Sequence, residues 1–211
     1  MAHLADALRK ISIDIEPLQI DPTSLIFHFI INNTDKSINP VRIANLFRQV
    51  LMSRIPTWAI DVVEIESNHP NIHDEILCHR LALLPLTEVG PINDEEEIIL
   101  TMDINSTDRD TEVTSSYLKS SSRQIIPRPN VSLAYLHKGQ QMQFRAIAKR
   151  GVGLTHIKWC TVTIVVFSQV DTDNRYKFTV ETDGKLDPHR ILELGKQQLE
   201  ELLSNGKLSV K

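Results

Sequence analysis

The sequence predicts an α+β fold: a mostly antiparallel sheet with two packing helices, and a small inserted subdomain. Segments with strand periodicity outnumber helical segments, and the two long helical segments lie far apart, near residues 41–54 and 189–203. Between them, residues 87–130 are polar and interrupted by turn-forming residues. A chain of 211 residues, 41% of them hydrophobic, is long enough to bury a core of this kind.

The chain begins with two predicted strands. Ile11, Ile13 and Ile15 alternate with polar residues, which is the period-two pattern of a half-buried strand. The second strand, over 25–31, is apolar except for His28. We interpret His28 as a sheet residue with polar partners rather than as a catalytic base.

Two segments have the apolar spacing of amphipathic helices. The first covers 41–54; it follows the cap and first-turn residues Asn39-Pro40 and ends before Pro56. The second begins in the same way at Asp187-Pro188, and Gly206 is expected to stop it. The other predicted elements are strands at 58–65, 131–136, 143–148, 161–167 and 176–181, a strand-like 98–100, and a helix at 75–83 capped by Asp74.

Composition excludes several classes of protein. The formal charge of −4 argues against tight autonomous binding of nucleic acid, because that affinity grows with the number of phosphates neutralised. No apolar run approaches the roughly 18 residues of a spanning helix, and the start of the chain does not resemble a secretory signal. The two cysteines cannot form a disulfide framework. These features predict an intracellular protein, in cytoplasm, nucleus or virion, without membrane contact.

Motifs for catalysis and cofactor binding are missing. The chain has no G-x-S-x-G nucleophile turn and no phosphate-binding P-loop, and Gly151-Val152-Gly153 is interpreted as a turn. The acidic run 94–97 is interpreted as a solvated loop rather than a catalytic carboxylate pair. We therefore expect no catalytic residues and no cofactor in this chain.

Four residues form the densest set of possible metal ligands: His69, His73, Cys78 and His79. Zinc sites usually combine a close pair of ligands with a second close pair elsewhere, and the second pair is missing. We expect no metal here and interpret these residues as loop histidines and a core cysteine. The alternative is a metal-dependent hydrolase built on His69, His73 and Cys78.

The apolar stripes of the two long helices are broad. Part of each stripe could pack against another chain, because obligate interfaces are as apolar as a domain core. Burial within the same chain explains the stripes equally well, so both interpretations stay open at this stage.

Several blocks of sequence, in order, resemble one family. Residues 55–66, Ile-Pro-Thr-Trp-Ala-Ile-Asp-Val-Val-Glu-Ile-Glu, and 73–86, His-Asp-Glu-Ile-Leu-Cys-His-Arg-Leu-Ala-Leu-Leu-Pro-Leu, are similar to the signature of the α-like subunits of DNA-directed RNA polymerase. The likeness continues through 144–153, His-Ile-Lys-Trp at 156–159, and Glu-Thr-Asp-Gly at 181–184. The family includes the bacterial α amino-terminal domain, the archaeal D subunit and the third-largest subunit of eukaryotic polymerase II.

Some positions depart from the family pattern. Gln49 replaces a usual arginine and Ala82 a usual glycine, and Cys160-Thr161 stands where Trp-x-Pro is usual. Residues 87–130 contain none of the four cysteines that often bind zinc or an iron–sulfur cluster in the insert, so no metal is expected there. A bacterial-type DNA-binding domain is missing, which favours an archaeal–eukaryotic type or a virus-encoded relative; the short insert favours the virus.

The resemblance implies a non-catalytic assembly subunit. Residues 1–86 and 131–211 would form the dimerisation domain, and the long helices would pack against a smaller α-like subunit in a heterodimer. The loop 149–159 would face the second-largest subunit, while the largest subunit would hold the catalytic magnesium. His79-Arg80 could form a buried network or a contact. The residues expected at partner interfaces are Ile43, Phe47, Arg48, Val50, Leu51, Lys149, Arg150, His156, Lys158, Trp159, Ile191, Leu194 and Leu202.

Three other arrangements stay open. Self-association would indicate the bacterial type of dimer. A protein-interaction module outside the polymerase could use the same fold, since fold does not determine function. The metal-dependent hydrolase is the third.

Overall fold

A computed structural model describes residues 8, 10–32, 38–68, 72–90, 97–170 and 174–205. The chain divides into two compact units. The first unit comprises the described parts of 1–56 and 152–211, and the second comprises those of 57–151. Each unit has its own hydrophobic core.

The first unit is a four-stranded sheet with two helices. Its strands are β1 (Ser12–Asp21), β2 (Ser24–Asn32), β11 (Val162–Gln169) and β12 (Arg175–Thr182), and its helices are α1 (Pro40–Ser53) and α3 (Pro188–Ser204). The strand order is β1-β2-β12-β11, and all three pairings are antiparallel. A short 3-10 turn, Ile157–Trp159, precedes β11.

Alternating residues of the sheet build the first core. Phe27 and Phe29 of β2 and Phe178 of β12 are fully buried on the same face, as the period of two requires. The apolar stripes of α1 and α3 cover this face. The α+β class and the two packing helices predicted from the sequence are confirmed.

Both long helices begin as predicted. The side chain of Asn39 accepts a hydrogen bond from the Val41 backbone N–H at 3.0 Å, and Asp187 accepts one from His189 at 2.8 Å. Each cap satisfies one of the donors that a helix start leaves unpaired. The expected stop of α3 at Gly206 lies outside the described residues.

The second unit contains the remaining strands and a short helix. These are β3 (Pro56–Asn68, in this unit from Thr57), α2 (Asp74–Ala82), β4 (Leu86–Glu88), β5 (Ile98–Asn105), β6 (Thr111–Thr114), β7 (Lys119–Ser120), β8 (Ile125–Pro127), β9 (Ser132–Leu136) and β10 (Gln141–Val152). The main sheet has the order β3-β10-β5-β7, and β4-β8 and β6-β9 form two-stranded sheets. Unlike the prediction, His73 is the N-cap residue of α2 and makes no side-chain cap bond, while Asp74 lies in the first turn.

The expected insert, 87–130, lies inside the second unit. This unit covers more of the chain, 57–151, because β3 and β10 pair with each other in its main sheet. The segment holds β5 to β8 and part of β4 rather than one isolated strand. The assignment of 1–86 and 131–211 to a dimerisation domain stays a prediction. Among the described residues, no helix combines the length and apolar character needed to cross a membrane.

Candidate subunit interfaces

Seven of the predicted interface residues belong to the core of the first unit. They are buried within this chain, on α1 and α3, and are Ile43, Phe47, Val50, Leu51, Ile191, Leu194 and Leu202. Their surface is already covered by the chain's own sheet and helices. Burial within the same chain therefore accounts for the apolar stripes of the two helices. Contact of these residues with a partner stays a prediction.

An aromatic cluster explains why α1 packs tightly. The ring of Phe47 stacks on Phe29 with centroids 4.5 Å apart, and it meets the ring of Phe178 edge-on at 5.6 Å. Gly195 of α3 permits the close approach of the helices. A Cβ added to Gly195 would lie only 2.7 Å from Cδ2 of Leu51 and 3.3 Å from Cε2 of Phe47.

The accessible face of α1 is a different stripe, which we call the α1 outer stripe: Val41, Asn45, Arg48 and Met52. Spacings of four and three residues place these side chains on one side of the helix. Val41 is 44% exposed and the other three are half-buried. Arg48 donates from Nε to Oδ1 of Asn45 at 3.0 Å, and its Nη1 lies 3.3 Å from Sδ of Met52. Of the predicted helical interface residues, Arg48 alone belongs to this stripe.

The sequence predicted that Lys149 and Arg150 belong to a loop over 149–159. In the structure both residues lie on β10 in the second unit. Strand pairing accounts for the difference, because β10 continues to Val152 as a member of the main sheet. The ammonium of Lys149 lies 3.0 Å from Oδ2 of Asp61 on β3. This exposed ion pair is of the kind that contributes about 0–1 kcal/mol to stability.

His156, Lys158 and Trp159 lie in the first unit, in the segment that joins β10 to β11. Nδ1 of His156 accepts a hydrogen bond from the backbone N–H of Lys158 at 3.1 Å. The Lys158 ammonium lies 4.4 Å from the ring centroid of Trp159, within cation–π distance. Trp159 is buried, whereas Ile157, which lies between His156 and Lys158 in the sequence, is 66% exposed.

A surface groove in the second unit was not anticipated from the sequence. It has a volume of about 410 Å³ and lies between α2 and β9, lined by Ile72, Ile76, Arg80, Ser132, Ala134, Tyr135 and His137. Arg80 donates from Nη1 to the Leu133 carbonyl at 2.8 Å, so this exposed side chain ties α2 to β9. Residues from two elements more than 50 positions apart form the groove, and no short motif could indicate it.

Comparison with known proteins identifies the family. The sequence profile of the RNA polymerase Rpb3/Rpb11 dimerisation domain matches residues 28–203. This range runs from β2 to the last turn of α3 and includes both units. The chain belongs to this family of RNA polymerase subunits. The resemblance to α-like polymerase subunits is thereby confirmed.

Similar proteins come from eukaryotes and archaea. DNA-directed RNA polymerase II subunit rpb3 of Dictyostelium discoideum is 32% identical, over 89% of this chain and 64% of its own length. DNA-directed RNA polymerase subunit Rpo3 of Methanocaldococcus jannaschii is 34% identical, over 73% of this chain and 77% of its own. DNA-directed RNA polymerases II, IV and V subunit 3 of Arabidopsis thaliana is 31% identical, over 60% of this chain and 50% of its own.

This Rpb3/Rpb11-family chain thus spans between half and about three quarters of the length of these relatives. Its membership in the α-like group of transcription proteins follows from the matches. A viral origin stays a prediction.

Three of the four candidate metal ligands belong to the part of the chain that the structure describes. His73, Cys78 and His79 lie on or next to α2, and His69 lies outside the described residues. Within the described ranges, no three His, Cys, Asp or Glu side chains could jointly hold a metal ion. Of the acidic run 94–97, only Glu97 is described, and Oε2 of Glu97 lies 3.9 Å from Nη2 of Arg145. The chain's freedom from metal and cofactor stays a prediction.

Both cysteines are free thiols with raised pKa values. Burial raises the pKa of Cys160, whose Sγ lies 3.1 Å from the Met52 carbonyl oxygen and 2.9 Å from that of Val162. Partial burial raises the pKa of Cys78, and the carboxylates of Asp74 and Glu75 raise it further. A raised pKa disfavours the thiolate, which is the form that attacks electrophiles and binds metals.

We expect both thiols to react slowly with iodoacetamide at pH 7. A free cysteine is about 3% thiolate at this pH for a pKa of about 8.5, and a raised pKa lowers that fraction about tenfold per unit. Peptide mass spectrometry should show slower labelling of Cys78 and Cys160 than of glutathione, with rates that still increase above pH 9. Labelling at pH 7 as fast as that of glutathione would show that the thiols are activated.

Proposed function

We propose that this chain is a non-catalytic assembly subunit of a DNA-directed RNA polymerase. It pairs with a smaller α-like subunit through the first unit, and the pair then docks the second-largest and largest subunits. The observation that carries the proposal is the match of residues 28–203 to a family described as a dimerisation domain. Polymerase subunits with 31–34% identity support the same role.

The α1 outer stripe is the surface that we assign to the smaller subunit. It contains a cation, an amide and two apolar side chains on one side of a helix whose opposite side is fixed in the core. The outer face of α3 is less suited to this contact. It carries the exposed ion pairs Arg190–Glu193 and Lys196–Glu200, which are typical of a solvated face. Direct nucleic-acid contact is not part of the proposal.

Co-expression with a smaller α-like subunit from the same source tests the proposal. A stable heterodimer should elute from size-exclusion chromatography, and at unit stoichiometry the chain should be recovered in transcribing polymerase. Arg48→Ala in the α1 outer stripe should weaken the heterodimer at least tenfold, because arginine is among the side chains that most often dominate the binding energy of an interface. Glu200→Asp on the outer face of α3 is the control and should leave the affinity unchanged.

The other outcomes are equally clear. A stable monomer that does not bind the smaller subunit would contradict the proposal. Self-association into a homodimer replaces it with the bacterial type of arrangement. Isolation from cells with unrelated partners, and without large polymerase subunits, would assign the fold to another kind of interaction module.

A further inference from the structure

The groove between α2 and β9 contains an arginine that has no acidic partner in the described part of the chain. The Arg80 side chain is exposed, and its guanidinium forms one hydrogen bond there, from Nη1 to the Leu133 carbonyl at 2.8 Å. Arg145 of the same unit, by contrast, lies 3.3 Å from Oε2 of Glu64. A guanidinium has five N–H donors, so Arg80 keeps most of its donors for a ligand.

The bond to β9 makes Arg80 a rigid receptor for a carboxylate. One nitrogen of the planar guanidinium is held against the Leu133 carbonyl, so the position of the whole group is fixed relative to the strand. Arginine binds carboxylates through two parallel N–H···O bonds, which need this planar geometry. A side chain that is ordered before binding also loses little conformational freedom on association.

The walls of this groove are apolar. Ile76, which precedes Arg80 by four residues on the same side of α2, is 46% exposed, and Tyr135 on β9 is 54% exposed. Both line the groove, together with Ile72 and Ala134. Its volume of about 410 Å³ falls within the range of about 300–1,000 Å³ that ligand clefts occupy.

The charge of the lining favours a negatively charged occupant. Among the described residues that line the groove, the ionisable ones near neutral pH are Arg80 and His137, and none is a carboxylate. The neighbouring carboxylate of Asp110 is already bonded: its Oδ2 lies 3.1 Å from Nδ1 of His137, and its Oδ1 accepts from the Lys138 backbone N–H at 3.0 Å. These two bonds lower the pKa of Asp110.

The edge of β9 favours an extended peptide over a small anion. The strand pairs with β6 on one edge, and no other described strand pairs with it. The Leu133 carbonyl faces the second edge, because it accepts its bond from α2. Backbone groups alternate in direction along an antiparallel strand, so those of Tyr135 lie on that edge as well. Open backbone groups of this kind bind a further strand.

We propose that the groove between α2 and β9 binds an extended acidic segment of a partner protein, with Arg80 pairing its carboxylate and the Tyr135 backbone pairing its main chain. The spacing fits, because four residues of a helix rise about 6 Å and two residues of a strand about 6.6 Å. An aliphatic side chain two positions from the carboxylate therefore contacts Ile76. This inference goes beyond the proposed function and does not depend on it.

Selection of random peptides displayed on phage against the purified full chain tests the proposal. The enriched peptides should contain Asp or Glu with an aliphatic residue two positions away. Fluorescence anisotropy of an enriched peptide should show at least tenfold weaker binding to Arg80→Gln, which keeps an N–H donor for Leu133 but loses the charge. Selection against Arg80→Glu should enrich Lys or Arg in place of the acidic residue. Arg123→Gln, at an exposed arginine of the same unit outside the groove, is the control and should bind like the wild type.

Two changes at Tyr135 test the pairing of backbones. Tyr135→Pro removes the N–H at the open edge, where proline is tolerated because β6 does not use that edge, whereas Tyr135→Val keeps the N–H. Both lose the ring, so the comparison isolates the backbone bond. Tyr135→Pro should bind the peptide at least tenfold more weakly than Tyr135→Val. Should the proline variant unfold, peptides N-methylated at alternate residues test the same bonds from the ligand.

Each alternative has its own outcome. Selection without enrichment, or enrichment of peptides that lack acidic residues, overturns the proposal, and so does peptide binding that both Arg80→Gln and Arg80→Glu leave unchanged. Free glutamate that binds as tightly as the peptide would assign the groove to a small anion instead. Equal binding by the two Tyr135 variants, or by the N-methylated peptides, overturns the strand pairing. Because the chain is tested without other polymerase subunits, failure here leaves the proposed function intact.

Discussion

Phe47→Asp is expected to unfold the first unit and abolish heterodimer formation. Phe47 is fully buried, and its ring contacts three other phenylalanines, Phe27, Phe29 and Phe178. Removing a buried phenylalanine ring costs about 3–5 kcal/mol, and an unpaired buried carboxylate costs several kcal/mol more. A domain has a total stability of about 5–15 kcal/mol, so this loss removes most or all of it.

Circular dichroism and thermal melts of the chain alone, followed by co-expression with the smaller subunit, measure this effect. Val41→Asp is the matched control for the melts of the chain alone, because Val41 is exposed near the N-terminus of α1, where a carboxylate interacts favourably with the helix dipole. It should change the free energy of unfolding by less than about 0.5 kcal/mol. An intact melt and heterodimer for Phe47→Asp would show that Phe47 is not in the core.

Gly195→Leu is expected to have the second-largest effect, through the contact between α1 and α3. Glycine normally weakens a helix by about 1 kcal/mol relative to alanine, so a substitution that only improved helix propensity would stabilise the protein. Steric overlap opposes this gain. Overpacking costs about 1–3 kcal/mol, and a Cβ alone would already lie 2.7 Å from the Leu51 side chain. With the gain in helix propensity subtracted from a cost near the upper end of that range, we expect a net loss of about 2 kcal/mol.

A double mutant distinguishes overpacking from other causes. Leu51→Ala removes the side chain that the new leucine would overlap, so the combination with Gly195→Leu should be less destabilising than the sum of the two single changes. Chemical denaturation of the four proteins provides the coupling free energy. Lys196→Leu, a neighbouring half-buried position of α3, is the control and should be close to neutral. Additive effects would show that the helices do not approach closely at Gly195.

Local signals in the sequence determined the long elements. The strand β1 and both amphipathic helices have clear periods, and Asn39 and Asp187 act as the caps that their positions predicted. Such elements depend on residues within a few positions of one another. The family likewise depends on short blocks of sequence, which the profile match confirmed over 28–203.

Short strands could not be predicted in the same way. The strands β4, β6, β7 and β8 contain only two to four residues, too few for a period of two to be recognised. They exist because distant partners pair with them, as Leu86–Glu88 pairs with Ile125–Pro127. The second unit includes β3 and β10, beyond the predicted insert, for the same reason: these strands pair although they are far apart in the sequence.

Tertiary structure alone decided which side chains are available to partners. An apolar stripe looks the same in sequence whether its own chain or another covers it; here the first unit buries Phe47 and Leu51 and leaves the α1 outer stripe accessible. In the sequence, Lys185 looks like an ordinary lysine in a surface turn. Only folding brings the carbonyl groups of Lys158 and Cys160 within 3 Å of its ammonium. Burial and hydrogen bonding between residues far apart in the chain are properties of the folded structure, which no local pattern encodes.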